Sequence, residues 1–272
     1  MIPVVIGPDL KQRTLSAIVL APVVLATTVF GGLPFLLLWT LAGAGVLLEW
    51  CGVARLGPRV PYLAIGFVVI AACAGLKAVG LPESVPLVLL AGLAVCALLV
   101  RPRLWAALGL VCAAACAFPV VVLRGDDQVG LLSVFFLFAV VWGTDIGAYF
   151  TGRIVGGPKL WPRLSPNKTW SGAIGGAVFG TLAGTGVALA GGLLFSPVLF
   201  LIGLLLSVIS QSGDLAESAF KRAFGVKDAG WLIPGHGGIL DRLDGFAAAA
   251  LAALVIAVLH GGPTPAAGLL LW

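Results

Sequence analysis

The sequence predicts an all-α integral membrane protein of about nine transmembrane helices, with its N-terminus in the cytoplasm and its C-terminus outside. Three observations carry this. The 272 residues are 60% hydrophobic and 10% charged, with a mean hydropathy of +1.14, whereas soluble domains average about 25% charged and roughly 45–50% apolar residues. Apolar runs of the length that crosses a bilayer as a helix, ~20 residues, recur along the whole chain between charges and turn residues. The basic residues fall almost entirely on alternate connections. Disorder is excluded by the low charge. A collagen-like chain is excluded because the 38 glycines have no period of three, and five cysteines are too few for a disulfide scaffold.

The expected spans cover 14–32, 33–55, 60–80, 84–100, 104–124, 128–152, 171–194, 196–222 and 238–260. Lys11 and Arg13 before the first run resemble the start of a signal peptide, but the run exceeds a signal core of about 7–15 residues and a second span follows at once. A retained helix is expected. Spans two to five are set off by Arg55, Arg59, Arg101 and Arg103, and short connections make sequential helices antiparallel neighbours. Cys51, Cys73, Cys96, Cys112 and Cys116 lie in or beside these apolar stretches with no CxxC pair, and read as small core hydrophobes. The seventh span carries Gly172, Gly176, Gly180 and Gly184 at every fourth residue, a bare helix face on which a neighbour can pack closely. Residues 1–142 therefore supply five helices and most of a sixth, and 143–272 the region where chemistry gathers.

Orientation follows from charge. With the N-terminus inside, cytoplasmic segments hold Lys11, Arg13, Arg55, Arg59, Arg101, Arg103, Arg153, Lys159, Arg163, Lys168, Lys221, Arg222, Lys227 and Arg242, and external segments hold Lys77 and Arg124, as the positive-inside rule requires. The net charge of +5 thus implies orientation and anionic lipid, not nucleic acid. Two stretches, 153–168 and 221–242, hold eight of the fourteen internal cations, more than orientation needs.

Acids within spans are costly and point to function. Glu83, Asp126 and Asp127 belong to external loops. Glu49, Asp145, Asp214, Glu217, Asp241 and Asp244 all lie toward the cytoplasmic side. Asp214 and Glu217 are three residues apart, as are Asp241 and Asp244, so each pair shares a helix face. Their hard oxygens suit magnesium rather than zinc. Glu217 and Lys221, four apart, also read as a neutralising ion pair. Between the acid pairs lie Lys221, Arg222, Lys227, Asp228, His236, Gly237 and Gly238. A glycine-rich turn opening into a helix can hold phosphate on its backbone amides, and the cations and His236 can take further phosphate charge. The residues alone thus describe a metal-dependent polyphosphate site facing the cytoplasm and open to the bilayer.

Ser218-Ala-Phe-Lys221-Arg222, Lys227-Asp228, Ile233-Pro-Gly-His236-Gly-Gly and Leu240-Asp241-Arg242-Leu-Asp244 resemble the defining motif of the phosphatidate cytidylyltransferases, the CDP-diacylglycerol synthases. Gly143-Thr-Asp145 through Tyr149 and Gly152-Arg153, and Leu164-Ser165-Pro-Asn-Lys168-Thr-Trp170, resemble two upstream pieces of that family. Ser171 departs from it, standing where many members carry an acid or amide. The resemblance covers 143–245 closely. It implies transfer of the cytidylyl group of CTP to phosphatidic acid, with release of pyrophosphate, in a bacterial inner membrane with the active site facing the cytoplasm.

The resemblance further implies magnesium, and admits potassium beside it. Asp214 and Asp241 are then the principal metal ligands, supported by Asp244 and Asp145. Lys221, Arg222, Lys227, His236, Gly237 and Gly238 hold CTP phosphates, Asp228 orders its neighbouring lysine, and Ser165 and Lys168 hold the lipid phosphate. Members of the family often act as homodimers. The alternative reading, a cation- or proton-coupled transporter, explains intramembrane acids but not their clustering on one side, and no inverted repeat is visible. The CDP-alcohol phosphotransferases require an acid spacing that Asp241 and Asp244 do not have.

Overall fold

The structure, a computed structural model, describes residues 8–230, 232 and 237–272. Among these, ten α-helices follow in order: α1 Pro8–Phe30, α2 Gly32–Val53, α3 Arg59–Ala78, α4 Val85–Leu99, α5 Arg103–Arg124, α6 Gln128–Ile154, α7 Trp170–Ala190, α8 Pro197–Ala223, α9 Leu240–His260 and α10 Pro265–Leu270. The two strands, β1 Lys159–Trp161 and β2 Ser165–Thr169, form an antiparallel hairpin between α6 and α7. Eight of the helical segments are long and apolar enough to cross a membrane, from α2 to α9, with α4 counted together with the 3-10 turn Pro82–Ser84 that precedes it. The expected first span lies on α1, whose apolar part among the described residues, Ile18–Phe30, is shorter than a span.

The chain divides into two compact units, each assembled from two segments. One comprises Met1–Ala114 and Val226–Arg242, the other Ala115–Gly225 and Leu243–Trp272. In the first, α1 packs on α2, α2 on α3 and α3 on α4. Its interior is filled by Phe35, Trp39, Leu47, Tyr62, Ile70 and Leu110, and the Trp50 indole N–H donates to the Trp105 carbonyl at 2.8 Å. Cys51, Cys73 and Cys96 are buried free thiols within it. Leu87, Leu90, Leu98 and Leu99 of α4 instead face outward, which suits contact with acyl chains, where the backbone polar groups are already satisfied within the helix.

In the second unit α6 and α7 run against each other along most of their length. All four glycines of the seventh-span stripe are buried, and the spacing is so close that side chains are excluded. A Cβ on Gly176 would stand 2.7 Å from the Thr144 carbonyl, and one on Gly180 2.6 Å from the Val140 carbonyl. Gly143 of α6 is likewise bare where it meets α7: a Cβ there would stand 3.1 Å from the Gly180 Cα. α8 joins through two polar contacts: the buried Thr144 and Ser207 hydroxyls share a hydrogen bond of 2.5 Å, and Gln211 Nε2 donates to the Ala173 carbonyl at 3.2 Å. Helix starts in this unit carry side-chain caps. Asp127, Thr169 and Ser196 accept from the amides of Gly130, Gly172 and Leu199, satisfying donors that a first turn leaves open.

Two elements lie outside the nine expected spans. The hairpin falls between the sixth and seventh expected spans, where Ser-Pro-Asn-Lys-Thr has no apolar alternation to mark a strand. It forms through pairing of Lys159 with Thr169 and Trp161 with Ser165. It is also tied back locally: Ser171, the residue that departs from the family pattern, donates its hydroxyl to the Gly156 carbonyl, and the Trp170 amide donates to Pro158 at 3.0 Å. The second addition is α10, capped by Thr264. The His260 ring stacks on Trp272 with centroids 3.6 Å apart.

Gly180→Ala forces a methyl onto the α6 backbone and is expected to destabilise by about 1–3 kcal/mol. Gly186→Ala on the same helix, where a Cβ meets nothing within 4 Å, is the neutral control. Thermal melting in detergent, compared between the two, checks this; equal melting refutes a steric seam.

Candidate active site

The cytoplasmic-side acids and cations of the sequence reading distribute over the two units, and each set has its own geometry. In the second unit, a cavity of about 680 Å³ opens where the end of α6, the hairpin, the start of α7 and the end of α8 meet. Asp145, Tyr149 and Arg153 line it from successive turns of α6, Lys159, Asn167 and Lys168 from the hairpin, and Gln211 and Asp214 from α8. The α6–α7 glycine seam makes this possible. With α7 drawn against α6, its first turn and the hairpin strand leading into it lie beside the Asp145 turn.

Two carboxylates and three cationic side chains thus face one opening. Lys168 Nζ stands 2.5 Å from Asp214 Oδ2, both partly exposed. The Arg153 guanidinium lies over the Tyr149 ring, 4.4 Å from its centroid, a cation–π contact that orients the group at the rim. Asp244, half-buried on α9, is within electrostatic reach of Asp214, Asp145 and Lys168. Three of the four acids assigned to metal therefore share one neighbourhood with a lysine that balances them. Among the described residues, no three His, Cys, Asp or Glu side chains converge closely enough to form a metal cage.

In the first unit, Asp241 opens α9 and accepts backbone hydrogens. The Ala229 amide lies 3.2 and 3.1 Å from its two oxygens, and the Gly238 amide donates at 2.9 Å. Asp241 thus fastens both arms of the glycine-rich segment. Gly237 adopts a positive φ of 81°, a conformation glycine reaches without steric cost, and Gly238 is buried. Lys227 and Asp228 are exposed. His236 lies outside the described residues.

Lys221 and Glu217 form the i, i+4 pair that the spacing allowed, with 2.7 Å between Nζ and Oε2 and both side chains largely buried. Arg222, at the end of α8, is exposed. Ser165 opens β2 opposite Trp161 and is not among the residues that line the cavity. The sequence reading gave Arg153 and Lys159 no site role, and did not single out Gln211. Their signal was the excess of cations in 153–168 over what orientation needs. The role of Glu49, taken up below, had no local signal beyond being an acid near the end of an apolar span.

A set of membrane-length helices, with a cavity at the ends of three of them lined by both acidic and basic side chains, defines an all-α integral membrane protein. A family model described as the cytidylyltransferase family matches residues 11–260, and the chain belongs to that family. It is 44% identical to a phosphatidate cytidylyltransferase of Brucella suis, over 89% of this chain and 91% of the relative, and equally to one from Brucella melitensis over the same shares. A phosphatidate cytidylyltransferase of Bacillus subtilis is 50% identical over 46% of each chain.

Glu217→Ala removes the carboxylate held against the largely buried Lys221 ammonium. Breaking such a pair is expected to destabilise on the order of 3 kcal/mol, read as a lowered melting temperature in detergent. A Glu217→Ala, Lys221→Met double variant should recover much of the loss. A single variant that melts like the parent would show the pair to be energetically idle.

Proposed function

We propose that this chain is a phosphatidate cytidylyltransferase, transferring the cytidylyl group of CTP to phosphatidic acid at the cytoplasmic face of a bacterial inner membrane. The observation that carries the reading is the cavity at the ends of α6, α7 and α8, where Arg153, Lys159 and Lys168 face Asp145 and Asp214, in a chain of the cytidylyltransferase family.

The reaction joins two polyanions. A phosphate oxygen of phosphatidic acid attacks the α-phosphorus of CTP, a new P–O bond forms, the bond to the β-phosphate bridge breaks, and pyrophosphate leaves with the electron pair. The nucleophile needs no strong base, because a phosphomonoester with a second pKa of about 6 is already ionised near neutral pH. Catalysis then rests on alignment and charge neutralisation. Lys168, Lys159 and Arg153 supply positive charge in the cavity, and Lys168 is poised to exchange Asp214 for a substrate phosphate. Lys227 and Arg222, exposed on the segment after α8 and at its end, are available to the triphosphate, and His236, Gly237 and Gly238 belong to the same proposed phosphate-binding segment. Acyl chains stay in the cytoplasmic leaflet while CTP enters from water.

The donor set suits magnesium. The ion is commonly held by one or two carboxylates together with substrate phosphates and water, rather than by a complete protein cage. Asp145 and Asp214 on the cavity present two such oxygen donors, and the Lys168 ammonium already stands against Asp214. Asp145, Asp214 and Asp244 are the residues proposed to hold or support the ion, which would neutralise charge on the triphosphate, and Asp241 is proposed as a metal ligand from its place in the family motif.

Detergent-purified protein given CTP, phosphatidic acid and magnesium is expected to release pyrophosphate and form CDP-diacylglycerol, with all three required. Asp214→Asn should lower turnover by at least about 100-fold. Its melting temperature should stay near that of the parent, because the Lys168–Asp214 pair is partly exposed and such pairs contribute about 0–1 kcal/mol. Turnover by Asp214→Asn at the parent rate would remove Asp214 from the site, and a folded parent that forms no CDP-diacylglycerol would overturn the reading.

A further inference from the structure

Glu49 is an ionisable residue buried in an apolar helix, 5% exposed, one turn from the end of α2. A carboxylate there is costly unless its lone pairs are used. Its partners lie about 190 residues away in sequence: one oxygen accepts from the Ile239 amide at 3.0 Å, the other from the Leu240 amide at 2.8 Å. These are donors at the start of α9, where amides lack intrahelical acceptors and the helix dipole favours negative charge.

The surroundings are shaped to this contact. A Cβ on Gly230 would stand 2.5 Å from Glu49 Oε1, and one on Gly238 2.5 Å from Oε2, so both arms of the glycine-rich segment close over the carboxylate. One turn earlier on α2, Gly45 leaves the space that the Ile239 side chain fills. Three successive amides are then divided between two acids, since Gly238 donates to Asp241 while Ile239 and Leu240 donate to Glu49.

We infer that Glu49 is a positioning residue for Asp241: it anchors the start of α9 to α2 and so sets the direction in which the Asp241 carboxylate and its segment are held. The inference rests on the cytidylyltransferase reading for its effect on turnover, and on geometry alone for its effect on the backbone.

The test uses the full-length protein in detergent, with Glu49→Gln, which keeps shape but replaces one acceptor by a donor, and Gly230→Ala, which keeps Glu49 but presses a methyl onto it. Hydrogen exchange is measured on peptides covering 238–242, and kcat and KM are measured for CTP and for phosphatidic acid. Glu49→Gln is expected to speed exchange in 238–242 and to lower kcat by about 10–100-fold, the usual cost of losing a group that orients a ligand, with KM for CTP within about twofold. Gly230→Ala should show the same pattern. The double variant should be no worse than the poorer single, because contacting residues that act through one interaction are not additive.

Parent-like exchange in 238–242 of Glu49→Gln overturns the anchor. So does a fall in kcat that merely tracks the folded fraction. An inactive parent with faster exchange in Glu49→Gln supports the anchor and overturns the reaction.

Discussion

The close backbone approach of α6 and α7 is the constraint from which the second unit is built. Between apolar helices in a bilayer there is little hydrophobic gain from association, because lipid tails are as apolar as leucine. Packing and short polar contacts have to hold the pair. Glycine at 172, 176, 180 and 184 of α7 admits the α6 backbone itself, and the facing Gly143 completes the fit. The Thr144–Ser207 hydrogen bond then brings in α8 one residue before Asp145. A seam made of backbone tolerates little sliding. It therefore fixes where the acid of α6, the hairpin entering α7 and the acid of α8 emerge.

In this unit two of the carboxylates each pair with a lysine. Lys168 rests on Asp214, and Lys221 on Glu217, but the two pairs differ in exposure. The first is open to the cavity and can change partners at modest cost. The second is largely buried, where parting the ions would be expensive. The same two residue types thus produce an exchangeable contact in one place and a fixed one in the other, and desolvation makes the difference. In the first unit negative charge meets backbone amides instead, with Glu49 and Asp241 sharing the start of α9.

Much of this was legible before any coordinates. The mean hydropathy, the recurring apolar runs and the fourfold glycine spacing lead to membrane helices and a tight seventh helix, because span length and i, i+4 facing are local properties of the chain. The acid spacings of α8 and α9 and the i, i+4 partnership of Glu217 with Lys221 were readable for the same reason. The hairpin was not legible: Ser-Pro-Asn-Lys-Thr carries no strand pattern, and pairing with Lys159–Trp161 creates it. Glu49 could not be assigned either, since nothing in Leu-Leu-Glu-Trp names a partner about 190 residues on.

By itself, then, the sequence determined the helical membrane class, the stripe that packs, and the family motifs from Asp145 to Asp244, all of which depend on residues near one another along the chain. Tertiary structure decided which groups share a cavity and which acid serves the backbone. It set Arg153, Lys159 and Lys168 around Asp145 and Asp214, gave Asp241 the amides of Ala229 and Gly238, and gave Glu49 those of Ile239 and Leu240. The physical reason is that a carboxylate is indifferent to whether a lysine, a metal ion or an amide satisfies it. Only the folded neighbourhood supplies one of these.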